Sequence, residues 1–165
     1  MIRAVTIARI ACLVALFGFV LPWVMVSCSG QPLGHFSGFE LALGASVRNP
    51  ATGALQHQGG DLWAATSLAA VIAAIVVGWV ARGRVAVAGI LAATVIALVA
   101  SAVGISRITA NARAAESQAS GQPADPQLRA LVRVELQYGY FITAGALLAA
   151  IGAGALALRD GRQPP

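Results

Sequence analysis

Residues 62–81 read LWAATSLAAVIAAIVVGWVA, twenty positions without one ionisable side chain. A helix needs about 20 residues to cross a ~30 Å hydrocarbon core. Inside hydrocarbon every backbone polar group must also be paired within the segment. The stretch therefore reads as a transmembrane helix. Three further uncharged apolar runs lie at 10–26, 85–105 and 138–158, of 17, 21 and 21 residues. Arg9 can snorkel from the inner end of the first and lengthen it. The sequence thus predicts an all-α membrane protein, one domain over 1–165 built as a four-transmembrane-helix bundle. Its outer loops are 27–61 and 106–137.

Composition points the same way. Hydrophobic residues make up 58% of the chain and charged residues 10%, against about 25% charged in soluble domains. Such a chain cannot cover a surface in water, and its apolar content excludes disorder. Eleven basic residues, all Arg, face six acids, yet they never cluster among aromatics, so no nucleic-acid partner is expected. Two cysteines exclude a disulfide scaffold, and no zinc-site spacing is present.

The arginines set the orientation. Arg3, Arg9, Arg82, Arg84, Arg159 and Arg162 fall on one side with Asp160 as the sole acid. Arg48, Arg107, Arg113, Arg129 and Arg133 on the other side are balanced by Glu40, Asp61, Glu116, Asp125 and Glu135. The positive-inside rule makes the first side cytoplasmic, with both termini there. Interface anchors are expected at Arg9, Arg82 and Arg84, at Trp23, Trp63 and Trp79, and at Tyr138 and Tyr140, because amphipathic rings favour the headgroup level.

Residues 1–28 also carry features of a secretory signal ending in Met25-Val26-Ser27-Cys28, a relaxed lipoprotein-like box. The apolar run exceeds the 7–15 residues of a signal core, so a retained helix is expected.

In the first outer loop, Asn49-Pro50 and Gly53 between extendable stretches predict a hairpin turn. Phe39, Leu41 and Leu43 alternate as one face of a strand would. In the second, residues 108–117 are helix formers, with Arg113 and Glu116 three apart. Asp125-Pro126 is an N-cap followed by a first-turn proline, and 127–137 runs into the last span without a breaker. Spans three and four are therefore expected to continue outward as a helical hairpin, a ten-residue extension standing ~15 Å proud. These outer elements are either solvated stalks or a docking surface with Phe36, Phe39, Arg129 and Arg133 as candidate contacts.

Helix association in lipid depends on close packing through small residues. Ala65, Ala69 and Ala73 step along the second span, beside a second stripe of Ala70, Ala74 and Gly78. Gly89 and Ala93 stand four apart in the third, and Gly145, Ala149 and Ala153 line the fourth. These faces serve either the internal bundle or a partner helix.

Candidate chemistry is sparse. No span holds a His, so no haem or pigment ligand lies at membrane depth and no cofactor is expected. His35 and His57, with Glu40 or Asp61, lack metal-site spacing, and no metal is expected. Ion and proton carriers leave ionisable groups inside the membrane, and here only Arg9 is near. Ser67, Thr94, Ser101 and Thr143 could line a pore in an oligomer, though such hydroxyls tend to bond their own helix. Cys12 and Cys28, sixteen apart on one expected helix, would lie ~24 Å apart, beyond disulfide reach, which excludes a thiol–quinone oxidoreductase.

The segments Leu21-Pro22-Trp23-Val24-x-Val26-Ser27-Cys28-Ser29-Gly30, Ser37-Gly38-Phe39-Glu40-Leu41-Ala42-Leu43-Gly44 and Tyr138-Gly139-Tyr140-Phe141 resemble a group of small bacterial four-helix membrane proteins of unassigned function. Claudin-like proteins share the topology and a Trp in the first outer segment. Their paired loop cysteines have no counterpart, since Cys28 is alone there. The first resemblance, with the lysine-free composition, implies the bacterial inner (cytoplasmic) membrane. It implies no activity.

Three functions fit these features, with a sensor or lipid-binding role as the remaining alternative. The foremost is a non-enzymatic accessory or scaffold subunit of a larger inner-membrane complex, with membrane lipid and other integral subunits, or its own copies, as partners. The second is a small channel or transporter formed by self-association. The third is an enzyme at the outer surface using His35, His57 and Glu40.

Overall fold

The computed structural model describes residues 2–28, 31–48, 55–81, 83–119 and 132–160. Its elements in chain order are α1 (Ile2–Val20), β1 (Pro22–Cys28), β2 (Gln31–Ser37), α2 (Gly38–Leu43), β3 (Ala45–Arg48), β4 (Leu55–Gln58), α3 (Leu62–Val80), α4 (Gly83–Ala119), β5 (Val132–Leu136) and α5 (Tyr138–Asp160). Among the described residues three helical stretches are long and apolar enough to cross a membrane: Leu62–Val80, Gly83–Ala110 and Tyr138–Arg159. The apolar part of α1, Val5–Val20, is shorter.

Helix α1 packs chiefly along α5, and α3 along α4, while α4–α5 and α1–α3 contacts close the four into a ring. The seams are lined by small residues. Toward the end where α1 begins and α5 finishes, Ala8, Ala11, Cys12, Ala74, Ala150 and Ala153 cluster with Ile90. Where α1 meets α5, a Cβ on Gly18 would fall on the Thr143 hydroxyl, so the two backbones approach as closely as a side-chain-free position allows. Toward the opposite end, where the sheet sits, the core coarsens to Phe19, Trp23, Leu68, Val71 and Leu147.

The apolar run 10–26 is not one helix. Proline disfavours helix at the residue before it and has no N–H to continue one, so α1 ends at Val20 and the chain extends from Pro22. Val24 and Val26 then favour a strand. Strand β1 is central in an antiparallel sheet of order β2-β1-β5. Val24 lies opposite both Phe36 and Leu136, and Cys28 opposite Gln31 and Val132. Cys28 therefore ends a strand, and the helical distance between Cys12 and Cys28 does not apply.

The expected outer helical hairpin is also corrected on one side. Helix α4 does continue outward, to Ala119. Residues 132–136, however, are strand β5, not a helix leading into the last span. Val132-Arg133-Val134-Glu135-Leu136 alternates apolar and polar with period two, and β1 offers it an edge. The expected N-cap at Asp125-Pro126 lies outside the described residues. Gln137 N donates to Trp23 O at 2.8 Å, and the helix resumes at Tyr138.

Phe39, Leu41 and Leu43 sit on a helix, not a strand. Ser37 caps α2: Glu40 N donates to Ser37 Oγ at 3.2 Å and Ser37 N to Glu40 Oε2 at 2.8 Å. This reciprocal pair is a capping box, and Gly44 at φ 97° ends the turn. The expected hairpin beyond it is present as β3 paired antiparallel with β4, Ala45 opposite Gln58 and Arg48 opposite Leu55. Its turn lies outside the described residues. Asp61 then caps α3, its Oδ1 accepting from Trp63 N and Ala64 N, each at 2.9 Å.

Candidate functional site

The two ends of the bundle and its outward helix faces contain the expected site residues. At the outer end, Pro22 releases the chain so that Trp23 turns back over α1. Phe19 and Trp23 have ring centroids 4.5 Å apart, and Tyr140 meets Trp23 edge-on at 5.7 Å. Trp23 is only 1% exposed. It is thus a core residue and not the headgroup anchor expected from its position, because the helix ends before it and the sheet and α2 cover it. Phe39, expected as a docking contact, is half-buried and meets Phe19 edge-on at 6.2 Å. Phe36 is half-buried on β2, opposite Val24. Arg133 lies opposite Ser27 on β5; Arg129 is outside the described residues.

Two arginine–tryptophan pairs mark the ends. The guanidinium carbon of Arg107 stands 5.0 Å from the Trp63 ring centre, and that of Arg9 stands 6.0 Å from the Trp79 ring centre. Both lie within cation–π range. The two tryptophans are sixteen residues apart on α3, so ~24 Å of helix rise separates the pairs, near the height of a hydrocarbon layer. Tyr138 is exposed beside Phe141, and Tyr140 is half-buried. Arg84 is exposed at the start of α4, and Arg82 is outside the described residues.

The small residues divide into two sets. Gly78 and Ala153 are buried, and Ala65, Gly89 and Ala93 are half-buried. A Cβ on Gly89 would come within 2.5 Å of Val77, so that glycine serves the α3–α4 seam. Ala69, Ala73, Gly145 and Ala149 face outward. A Cβ on Gly145 meets nothing within 4 Å, and the same holds for Gly152. Sequence spacing alone missed Gly152; counting seven from Gly145, two turns on, would have found it.

The pore hydroxyls and outer carboxylates are engaged elsewhere. Ser67 Oγ donates to Ala97 O at 2.9 Å across the α3–α4 seam. Thr94, Ser101 and Thr143 donate to carbonyls of their own helices. Glu40 and Asp61, the carboxylates nearest in sequence to the two histidines, act as helix caps. His35 lies opposite Met25 and His57 opposite Ser46, and among the described residues no cluster of three His, Cys, Asp or Glu could hold a metal. A cleft between Trp23, Leu41, Asp61, Gly104 and Ile108 encloses only about 10 Å³, far below the ~300 Å³ at which ligand pockets begin.

No protein-family model matches the chain, and no curated protein is significantly similar to it.

Proposed function

We propose that the chain crosses the bacterial inner membrane four times, with both termini cytoplasmic, as a non-enzymatic accessory or scaffold subunit of a larger membrane complex. Supporting the fourth crossing, the exposed large side chains described over Val5–Val20 are all apolar: Ile7, Ile10, Leu13, Val14, Phe17 and Val20. A surface of that kind fits lipid and not water. Val5–Val20 rises ~24 Å, and Arg9 reaches the interface from its inner end by snorkelling.

The observation that carries the docking reading is the open space over Gly145 and Gly152 on the outward face of α5. With exposed Ala149 between them they form a shallow groove that the internal bundle does not use. A partner helix could lie against such a groove at close range. Exposed Ala69 and Ala73 on α3 offer a second, narrower face.

Extraction in mild detergent followed by native mass measurement tests the role: co-purifying integral subunits or an oligomer are expected, and a lone monomer overturns it. Reporter fusions at each terminus test the topology. An active cytoplasmic reporter at both ends is expected, and opposite sides would mean an odd number of crossings.

A further inference from the structure

We propose that Arg9, braced by Trp79, is a seat for the phosphate of an anionic lipid headgroup at the inner end of the bundle. The inference rests on the membrane reading and is independent of the docking faces. Arg9 lies on α1 against Gly78 of α3, and a Cβ on Gly78 would lie 3.6 Å from the Arg9 Cγ. The arginine stem thus packs against α3 at Gly78. Its Nε is buried with no hydrogen-bond partner among the described residues.

With Cγ against α3 and Nε buried, this half-buried side chain has its terminal Nη pair left to offer a ligand. The indole of Trp79 lies beside the guanidinium at 6.0 Å and is itself 67% exposed. A planar guanidinium fixed in direction in this way presents parallel N–H donors that match phosphate oxygens. Asp160 is the one acid of the segments on this side, against six Arg. Exposed Val76 and Val80 continue the surface beside Trp79, offering an apolar wall for an acyl chain below a bound headgroup. A free phosphate ion would share the charge contact but not that wall, so the lipid is the expected ligand.

The test is native mass spectrometry of the full chain released from nanodiscs. Phosphatidylglycerol and phosphatidylcholine are compared, with inorganic phosphate added in a parallel arm. Wild type is expected to retain one phosphatidylglycerol about tenfold more strongly than phosphatidylcholine. Arg9→Gln should abolish the preference, and Trp79→Leu, at an exposed position the fold does not need, should weaken it several-fold. Arg107→Gln, at the opposite end, should leave it intact. Arg9→Lys keeps the charge without the planar fork and should fall between wild type and Arg9→Gln, so a general loss of folding is distinguishable from loss of the seat. Equal retention of the two lipids by wild type, or an undiminished preference in both Arg9→Gln and Trp79→Leu, overturns the proposal. Displacement of the lipid by millimolar inorganic phosphate overturns the lipid assignment.

Discussion

The indole Nε1 of Trp23 donates to the carbonyl oxygen of Gly18 at 3.0 Å. In an uninterrupted helix that carbonyl would accept from the backbone N–H four residues on, at position 22. Position 22 is proline and has none. The side chain of the next residue supplies the missing donor, with a longer bond from Leu21 N at 3.3 Å beside it. The helix end and the aromatic core are therefore one device.

Trp23→Phe removes that donor while keeping an aromatic ring in the core. Gly18 O keeps the longer bond from Leu21 N, so the lost hydrogen bond costs about 0.5–1.5 kcal/mol, and the smaller ring adds a cavity term. Thermal unfolding in detergent should show the variant clearly less stable than wild type. Trp79→Phe, at an exposed ring, should lie within about 0.5 kcal/mol of wild type.

Two glycine variants should behave oppositely. Gly18→Leu drives a side chain into Thr143 at the α1–α5 seam and should destabilise the monomer by about 1–3 kcal/mol. Gly145→Leu enters open space, so unfolding should be unchanged while any native complex dissociates. Ala69→Phe, also outward-facing, is the matching probe on α3. If neither outward variant alters the mass of the native assembly, these faces are not docking surfaces.

Asp61→Ala takes two backbone donors of α3 away from their acceptor. Loss of such a cap typically costs about 1 kcal/mol, a drop measurable by the same unfolding assay. Asp61→Asn retains the carbonyl acceptor and should recover most of it.

The strand assignment of 132–136 can be tested by cross-linking. Ser27 and Arg133 are direct antiparallel partners, and such neighbours are close enough for a disulfide. In a Cys28→Ser background, the Ser27→Cys, Arg133→Cys pair should oxidise readily. A helix through 132–136 would remove the paired register, so a failure to cross-link sinks the assignment.

What was legible depended on whether the controlling interaction is local. Residues 62–81 announce a spanning helix by themselves, and Trp63 and Trp79 frame it; the Asp61 cap came only with the structure. Tyr138 opens α5 where the uncharged run begins, and Asn49-Pro50 with Gly53 signalled the β3–β4 hairpin. Apolarity says where a segment prefers to be, not whether it is helix or strand. Hence 10–26 was read through Pro22, although that proline was visible. The alternation in 132–136 was equally visible but competed with an unbroken run into α5, and its decisive partner, β1, lies near the other end of the chain. Trp23 was misplaced for the same reason, since its burial depends on α2 and Tyr140 folding over it. The Arg9–Trp79 pairing needed the α1–α3 contact, which no spacing rule supplies.

Because β5 immediately precedes α5, the edge of β1 that receives it must wait until residues 132–136 have been synthesised. Chains emerge from N- to C-terminus, and an open strand edge is prone to pair wrongly in the interval. Closing of the sheet thus couples the strand that follows α1 to the strand that precedes α5, and a chain with α5 misplaced would keep a bare edge on β1.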